Sequence, residues 1–382
     1  MKKIAALLSL ALLPLSALGT AGAGPTDGFN SDNVEYVKFV PFEVGTATGA
    51  KVVGKYFYVT SWKDFTIYDV SDPENPELLS KTPFVADTAQ QGTGFRFENE
   101  DVATNGKILI FSQQLPVPDI FVYDVEDKTN PVLLSHLRGP GAHTAECVLD
   151  CKWLYTSNGG ILDLRDPSDP KVVDRKWTEG MPATGSHDVN EVAPGLVLTS
   201  SRPIMVLDAR KDPTRPKLLA VGDSEKITGG VHSNQWPNKG KDDIVLFSSE
   251  SNATGRCNGS NGAFMTWDAS KYKKTKTLTF LDSYQLTNGT YSDGSPAANG
   301  LGCSAHWFDE HRTFKKGGLV ALGSYEHGTR FVDVASNGKI TEVGYFVPNA
   351  GSTSASYWLN DRLVYSVDYT RGIDILRYTG KF

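Results

Sequence analysis

The sequence predicts an all-β chain folded as a seven-bladed β-propeller of four-stranded blades, and three observations carry that prediction. The composition is that of a strand-and-turn protein, a short motif recurs along the chain, and the two ends complement each other. The chain has 382 residues, 40% of them hydrophobic and 21% charged, with a mean hydropathy of -0.28. That excludes a disordered polymer or a multi-span membrane protein. With 37 Gly and 20 Pro beside 15 Tyr, 18 Phe and 7 Trp, it is rich in turn formers and strand-preferring aromatics. At about 150 residues per domain the length suggests two or three domains, but all-β toroids run longer as one.

The recurring motif is a β-rich run ending in hydrophobic-Asp-hydrophobic, then a Pro-bearing turn and another apolar run. FTIYDVSDPENPELLS, IFVYDVEDKTNPVLLS, GGILDLRDPSDPKVVD and PIMVLDARKDPTRPKLLA are clear copies, and AFMTWDASKYKKTKTLTFL, TRFVDVASNGKITEVGYF and GIDILRYTGKF are degenerate ones. The repeated acids are Asp69, Asp124, Asp163, Asp208, Asp268, Asp333 and Asp374, which together with the prolines are read as builders of the turn between third and fourth strands. Before each copy stands a second pair of strand-like runs joined by a tight turn, such as AKVVGKYFYVTS and AECVLDCKWLYTS. Each unit is thus about four short strands with no helical periodicity between them, the signature of propeller blades. The last unit stops one strand short, while VEYVKFVPFEVG near the N-terminus resembles the outer strand ITEVGYFVPNAG of the sixth unit. An N-terminal strand completing the last blade would close the ring and remove its edges.

The units IYDVSDPENP, VYDVEDKTNP and LDLRDPSDP resemble LVIVD repeats, a family of exported and surface β-propellers, over nearly the whole chain after the leader. The resemblance implies the fold. It implies little about activity, because propellers host lyases, lactonases, oxygenases and passive scaffolds alike.

The N-terminus reads as a cleaved secretory signal over residues 1–23: Lys2 and Lys3, an apolar stretch from Ile4 to about Leu18, and the small residues Ala21, Gly22 and Ala23. Residues 24–382 are then one propeller domain, expected to be secreted, periplasmic or on the cell surface. Loss of the two lysines takes the formal charge from -6 to -8, which argues against nucleic acid or an anionic membrane as partner. Four cysteines in an exported chain read as two disulfides. Sequence permits three pairings, and Cys147–Cys151 across a hairpin turn with Cys257–Cys303 between two Gly/Ser/Asn-rich loops is the expected one. Metal ligation by Cys147 and Cys151 is the weaker alternative in an oxidising compartment. Asn252, Asn258 and Asn288 lie in glycosylation sequons within those loops.

Function must come from departures from the repeat, and histidines supply them. His143, His187, His232 and His306 each stand just before the first strand of the third to sixth units, so they are one structural position used four times. The first strand lines the channel of a propeller, and its start shares a face with the loop between second and third strands, where His327 falls. Topology therefore converges five histidines on the channel mouth. Imidazoles are ligands for Fe, Cu, Zn and Mn, and five of them read as a transition-metal site with His143, His187, His232, His306 and His327 as ligands. Glu146, Asp188, Glu191, Glu250 and Glu326 are candidates to orient the rings. The competing reading is a channel filled with water-linked polar side chains. His136 and His311 read as structural.

The first, second and seventh units lack the histidine, which is expected to leave an open side on the ion near Trp62, Glu98, Glu100, Gln113, Asp368, Tyr369 and Arg371, with Arg202 and Tyr325 on the same face. The plan is similar to that of the carotenoid-cleavage oxygenases, with four histidines on a propeller axis, though not in sequence. It implies dioxygen chemistry, whereas a Zn or Mn hydrolase or lyase would use the same ligands with His327, Tyr325, Glu100 or Asp368 as acid or base. The substrate would be a small molecule or a polymer at the channel mouth, and a closed ring would need no second copy. The second reading is a surface interaction scaffold, with a structural metal or none.

Overall fold

The computed structural model describes residues 28–41, 47–61, 63–84, 100–114, 117–251, 262–286, 303–349 and 351–382. The expected signal, Trp62, Glu98, Cys257 and the three sequons lie outside the described residues. The protein is an all-β propeller of antiparallel four-stranded meanders. Those of Ala47–Pro83, Ala103–Arg138 and Ala145–Val172 form one sheet each, and Thr353–Tyr378 takes its fourth strand, Val34–Pro41, from the N-terminus. The sheet of Phe308–Pro348 gains Gly28–Asn30 as an extra outer strand. An eight-stranded sheet comprises two meanders, Val189–Gly222 and Gly230–Tyr284, joined where Val221 and Gly222 run parallel to Thr277 and Leu278.

The innermost strands neighbour one another in chain order, and the last of them, Thr353–Trp358, packs against the first, Ala47–Val53. The chain ends complete the circle: Val34–Pro41 pairs antiparallel with Gly372–Tyr378, Val34 opposite Tyr378 and Pro41 opposite Gly372. Hydrophobic clusters fill the spaces between sheets. One, for example, sets Phe57, Val59 and Ala50 of the first meander against Ala355, Tyr365 and Ile373 of the last, with Phe57 and Tyr365 edge to face at 5.2 Å. Among the described residues no helix is long and apolar enough to cross a membrane.

The repeated aspartates do what turn chemistry asks. Asp69, Asp124, Asp163, Asp208 and Asp268 each accept the backbone N–H two residues on, at 2.8, 2.8, 3.0, 3.1 and 2.7 Å, which starts the turn into the fourth strand. Asp374 departs from the pattern. Its strand runs on to Tyr378 without a turn, so the carboxylate is buried mid-strand and accepts from Arg371 at 2.7 Å.

Cys147 and Cys151 form a disulfide across a turn whose Leu149, Asp150 and Cys151 have φ of 56°, 60° and 53°, a left-handed run that L residues adopt at a cost. Cys303 is disulfide-bonded as well, and its expected partner Cys257 lies outside the described residues. The Cys147–Cys151 bond excludes the weaker alternative, metal ligation by those two thiols. The short loop closed by Cys147–Cys151 restricts the unfolded chain, so the double variant Cys147→Ala/Cys151→Ala is expected to lose about 2 kcal/mol of stability, measured by denaturant unfolding against the parent.

Candidate metal centre

The inner strands start around the channel axis, and the residues at those starts meet there. His143 stands two residues before Ala145–Val148, His187 two before Val189–Ala193, and His306 two before Phe308–Glu310. His232 differs from the expectation, lying inside its strand, Gly230–Gln235, where a bulge between Val231 and Asn234 breaks the register and re-aims the side chain. The second unit contributes Glu100, three residues before Ala103–Thr104. Five successive units thus use one ring position, four for imidazole and one for carboxylate.

The four Nε2 atoms surround a single oxygen, Glu100 Oε2, at 3.5 Å from His143, 4.0 Å from His187, 3.4 Å from His232 and 3.7 Å from His306. The imidazole rings follow one another round the arc, with centroids 4.7 Å apart for His143 and His187, 3.9 Å for His187 and His232, and 4.1 Å for His232 and His306. Glu100 Oε2, His232 Nε2 and His306 Nε2 are buried and make no hydrogen bond within the protein. Three overlapping triads have ligand atoms within 4.8 Å of one another: Glu100, His232 and His306; Glu100, His143 and His187; and His187, His232 and Glu250.

The surroundings hold these groups in place. His306 Nδ1 donates to the Ser354 carbonyl at 2.6 Å, turning Nε2 toward Glu100. Tyr369 donates to Glu100 Oε1 at 2.6 Å, and the Tyr325 hydroxyl donates to Glu250 Oε1. The rings of Tyr325 and His306 lie 4.4 Å apart. Burial drives both phenols well above their ordinary pKa, so they act as donors.

Electrostatics divides the imidazoles. Burial, aided by the charge of His306, pushes His232 down to about 3, and burial takes His187 well below its ordinary value. Burial also disfavours charge on His306, but the Glu100 carboxylate outweighs it and raises that ring. Burial alone would raise Glu100; the charge of His306 and the imidazoles around it bring it well below the ordinary carboxylate range. The cluster therefore offers neutral His187 and His232, the form that ligates, at physiological pH.

Other expected residues go elsewhere. His327 is buried and belongs to none of the ligand triads; its backbone carbonyl accepts from Arg330 Nε at 3.1 Å. Asp368 accepts from Ser352 N, Thr370 N and Thr370 Oγ1, each at 2.8 Å, and so ties its own loop. Glu146 takes Lys51 Nζ at 2.9 Å, Asp188 holds Asn234, and Glu191 caps the N–H groups of Leu149 and Gly195. Glu326 is buried in the same loop as His327. Arg202 binds the carbonyl of Ile227 at 2.9 Å, and Arg371 pairs with Asp374. The side expected to be open is filled by Glu100 and Tyr369. Solvent reaches the cluster instead at His143 and His187, whose side chains are each 23% exposed against 1% for His232 and 0% for His306. The offset of Glu100 before its inner strand nearly matches that of the histidines and places it on their face, whereas its place at the centre is set by the ring.

Residues 44–82 match the family model of the LVIVD repeat. Solved structures similar to the chain are the β-propeller domain of Myceliophteria thermophila Cps50 (Swd1), with a TM-score of 0.60 and 12% identity over 89% of this chain and 99% of that one; the WD40 repeats of RRP9, at 0.57 and 10% over 91% and 98%; and U3-55K, at 0.56 and 10% over 91% and 98%. At these identities the likeness shows the fold alone. No curated protein matches the chain.

Glu100→Gln removes the charge that chiefly raises His306, leaving burial opposed only by the Glu250 charge and the Ser354 hydrogen bond. In the metal-free protein the His306 ring is then expected to titrate lower than in the parent, read from the histidine Cε1 resonances by NMR. An unchanged titration would mean that Glu100 does not govern the cluster.

Proposed function

We propose that this chain, an LVIVD-repeat β-propeller protein by its repeat and its fold, is an exported metalloenzyme. It holds one transition-metal ion between His143, His187, His232, His306 and Glu100. The observation that carries this reading is the convergence of four Nε2 atoms on one unpartnered carboxylate oxygen. Two ligand atoms that each lie about 2.1 Å from one ion stand about 3.0 to 4.2 Å apart, and the separations of 3.4 to 4.0 Å fall in that range. Buried lone pairs facing one another are costly unless a proton or a metal cation lies between them, and one proton on His306 leaves His143, His187 and His232 still facing the same oxygen. The N/O donor set, without thiolate, suits Fe, Cu, Zn or Mn.

Such an ion supplies Lewis acidity, and iron or copper adds one-electron chemistry toward dioxygen. The chain's own residues do the rest. The buried rings of His232 and His306 close the inner side, and the partly exposed edge at His143 and His187 is where a small molecule or a polymer end would approach. Glu250 stands at that edge, its side chain 26% exposed and Oε2 3.9 Å from His232 Nε2. With Tyr325 orienting its other oxygen, Glu250 is the group placed to take or give a proton.

The wider reading counts the eight-stranded sheet as two blades, which makes seven, in a monomer whose ring leaves no inner edge to pair. Export is supported by the signal-like N-terminus and by cystines in Cys147, Cys151 and Cys303.

Elemental analysis of the untagged protein is expected to find about one Fe, Cu, Zn or Mn per chain, with His187→Ala/His232→Ala losing it while the fold persists by circular dichroism. No ion above background after reconstitution, or full retention in the double variant, would sink the reading and favour an interaction scaffold.

A further inference from the structure

On the face opposite the histidines, the turn between Gly230–Gln235 and Ile244–Glu250 meets the turn between Phe264–Asp268 and Thr277–Tyr284. There the two adjoining cavities, about 440 and 390 Å³, share Gly240, Lys241, Tyr272 and Lys273. One bank carries Lys239 and Lys241, the other Lys271, Lys273, Lys274 and Lys276, and all six are exposed. Among the described residues none of the six pairs with a carboxylate within 4.0 Å; Lys276 Nζ donates to the Lys273 carbonyl at 2.7 Å. The two acids on this rim are already used: Asp243 pairs with Lys316 Nζ at 2.9 Å, and Asp242 accepts from Asn238 Nδ2, Ile244 N and Lys316 N.

Six unpaired cations crowded together repel one another, and they do so in a chain whose formal charge is -6. Two of them also sit in backbone that does not favour lysine. Lys239 and Lys276 have φ of 56° and 62°, a region that glycine or asparagine fills more readily. Both side chains line the smaller cavity. Neither packing nor turn chemistry accounts for lysine at these positions.

We infer that this cleft binds an acidic polysaccharide, a chain of sugar rings bearing carboxylate or sulfate groups. The cleft is concave with lysines on both banks, which suits a single chain laid along it and not the flat surface of a bilayer. Its floor supplies apolar surface from Pro194, Leu196, Leu219 and Tyr272 for the ring faces. Lysines are mobile point charges without the fork of arginine, so they tolerate the variable spacing of charges on a polysaccharide. The site is independent of the histidine cluster and tethers the protein by its back face.

The test is binding of the full-length mature protein to heparin and to polygalacturonate, with phosphatidylglycerol vesicles alongside, by titration calorimetry and cosedimentation from low to physiological salt. Expected is binding to at least one of the two glycans that weakens as salt rises. Lys273→Ala/Lys274→Ala/Lys276→Ala and, separately, Lys239→Ala/Lys241→Ala should each reduce affinity by about tenfold or more and flatten the salt dependence, with melting temperature and metal content unchanged. Heparin binding alone identifies sulfate as the charge, and polygalacturonate binding identifies carboxylate. Failure to bind either glycan, binding to the vesicles only, or undiminished glycan binding by both variants would overturn the inference.

Discussion

A ring of sheets keeps its inner strands together only if its two ends meet, and here they meet through the pairing of Val34–Pro41 with Gly372–Tyr378. Everything at the channel mouth depends on that closure. The first strand of the last meander is held against the first strand of the first meander, and Ala50, Phe57, Ala355, Tyr365 and Ile373 bury one another across the seam. Tyr369 lies on the closing meander while Glu100 lies near the beginning of the chain, yet their 2.6 Å hydrogen bond fixes the orientation of the carboxylate at the centre of the cluster. A strand 331 to 344 residues from its partner therefore positions the candidate ligand set.

The cluster itself is an exchange of solvation for proximity. Burying imidazoles disfavours their charged form, and His187 and His232 respond by staying neutral, while the carboxylate of Glu100 finds its compensating charge in His306. Behind it burial suppresses charge. Lys51 is paired with Glu146, and Asp101, raised to about 8 by burial with Glu146 adding to the shift, and Asp188, raised for the same chief reason, favour their protonated forms. The two faces differ: the face of strand starts gathers histidines and acids round the axis, whereas the opposite face carries the lysine cleft at its rim.

Much of this was legible in the chain, and what was not has a physical cause. The four-strand units, the turn-forming aspartates, the Cys147–Cys151 disulfide and the missing last strand all follow from short-range patterns, since turns, alternation and hairpins are decided within about ten residues. The convergence of His143, His187, His232 and His306 was legible for the same reason, because three of them repeat one local offset and His232 reaches the same place through a bulge. His327 shared their face, but a face does not specify distance from the axis, and it belongs to none of the ligand triads. Asp374 matched the repeat, but without a following turn it became a buried partner of Arg371.

The sequence by itself determined the repeating unit, its turns and the identity of the residues placed at the start of each inner strand, because those depend on neighbours along the chain. Only the tertiary structure decided that Glu100 would be the atom the four imidazoles face, that Tyr325 and Tyr369 would be spent on carboxylates, that solvent would enter at His143 and His187, and that two lysine-bearing turns would share one cleft. Those outcomes depend on angles and distances across the ring, and a circle's centre is a property of its closure that no single unit contains.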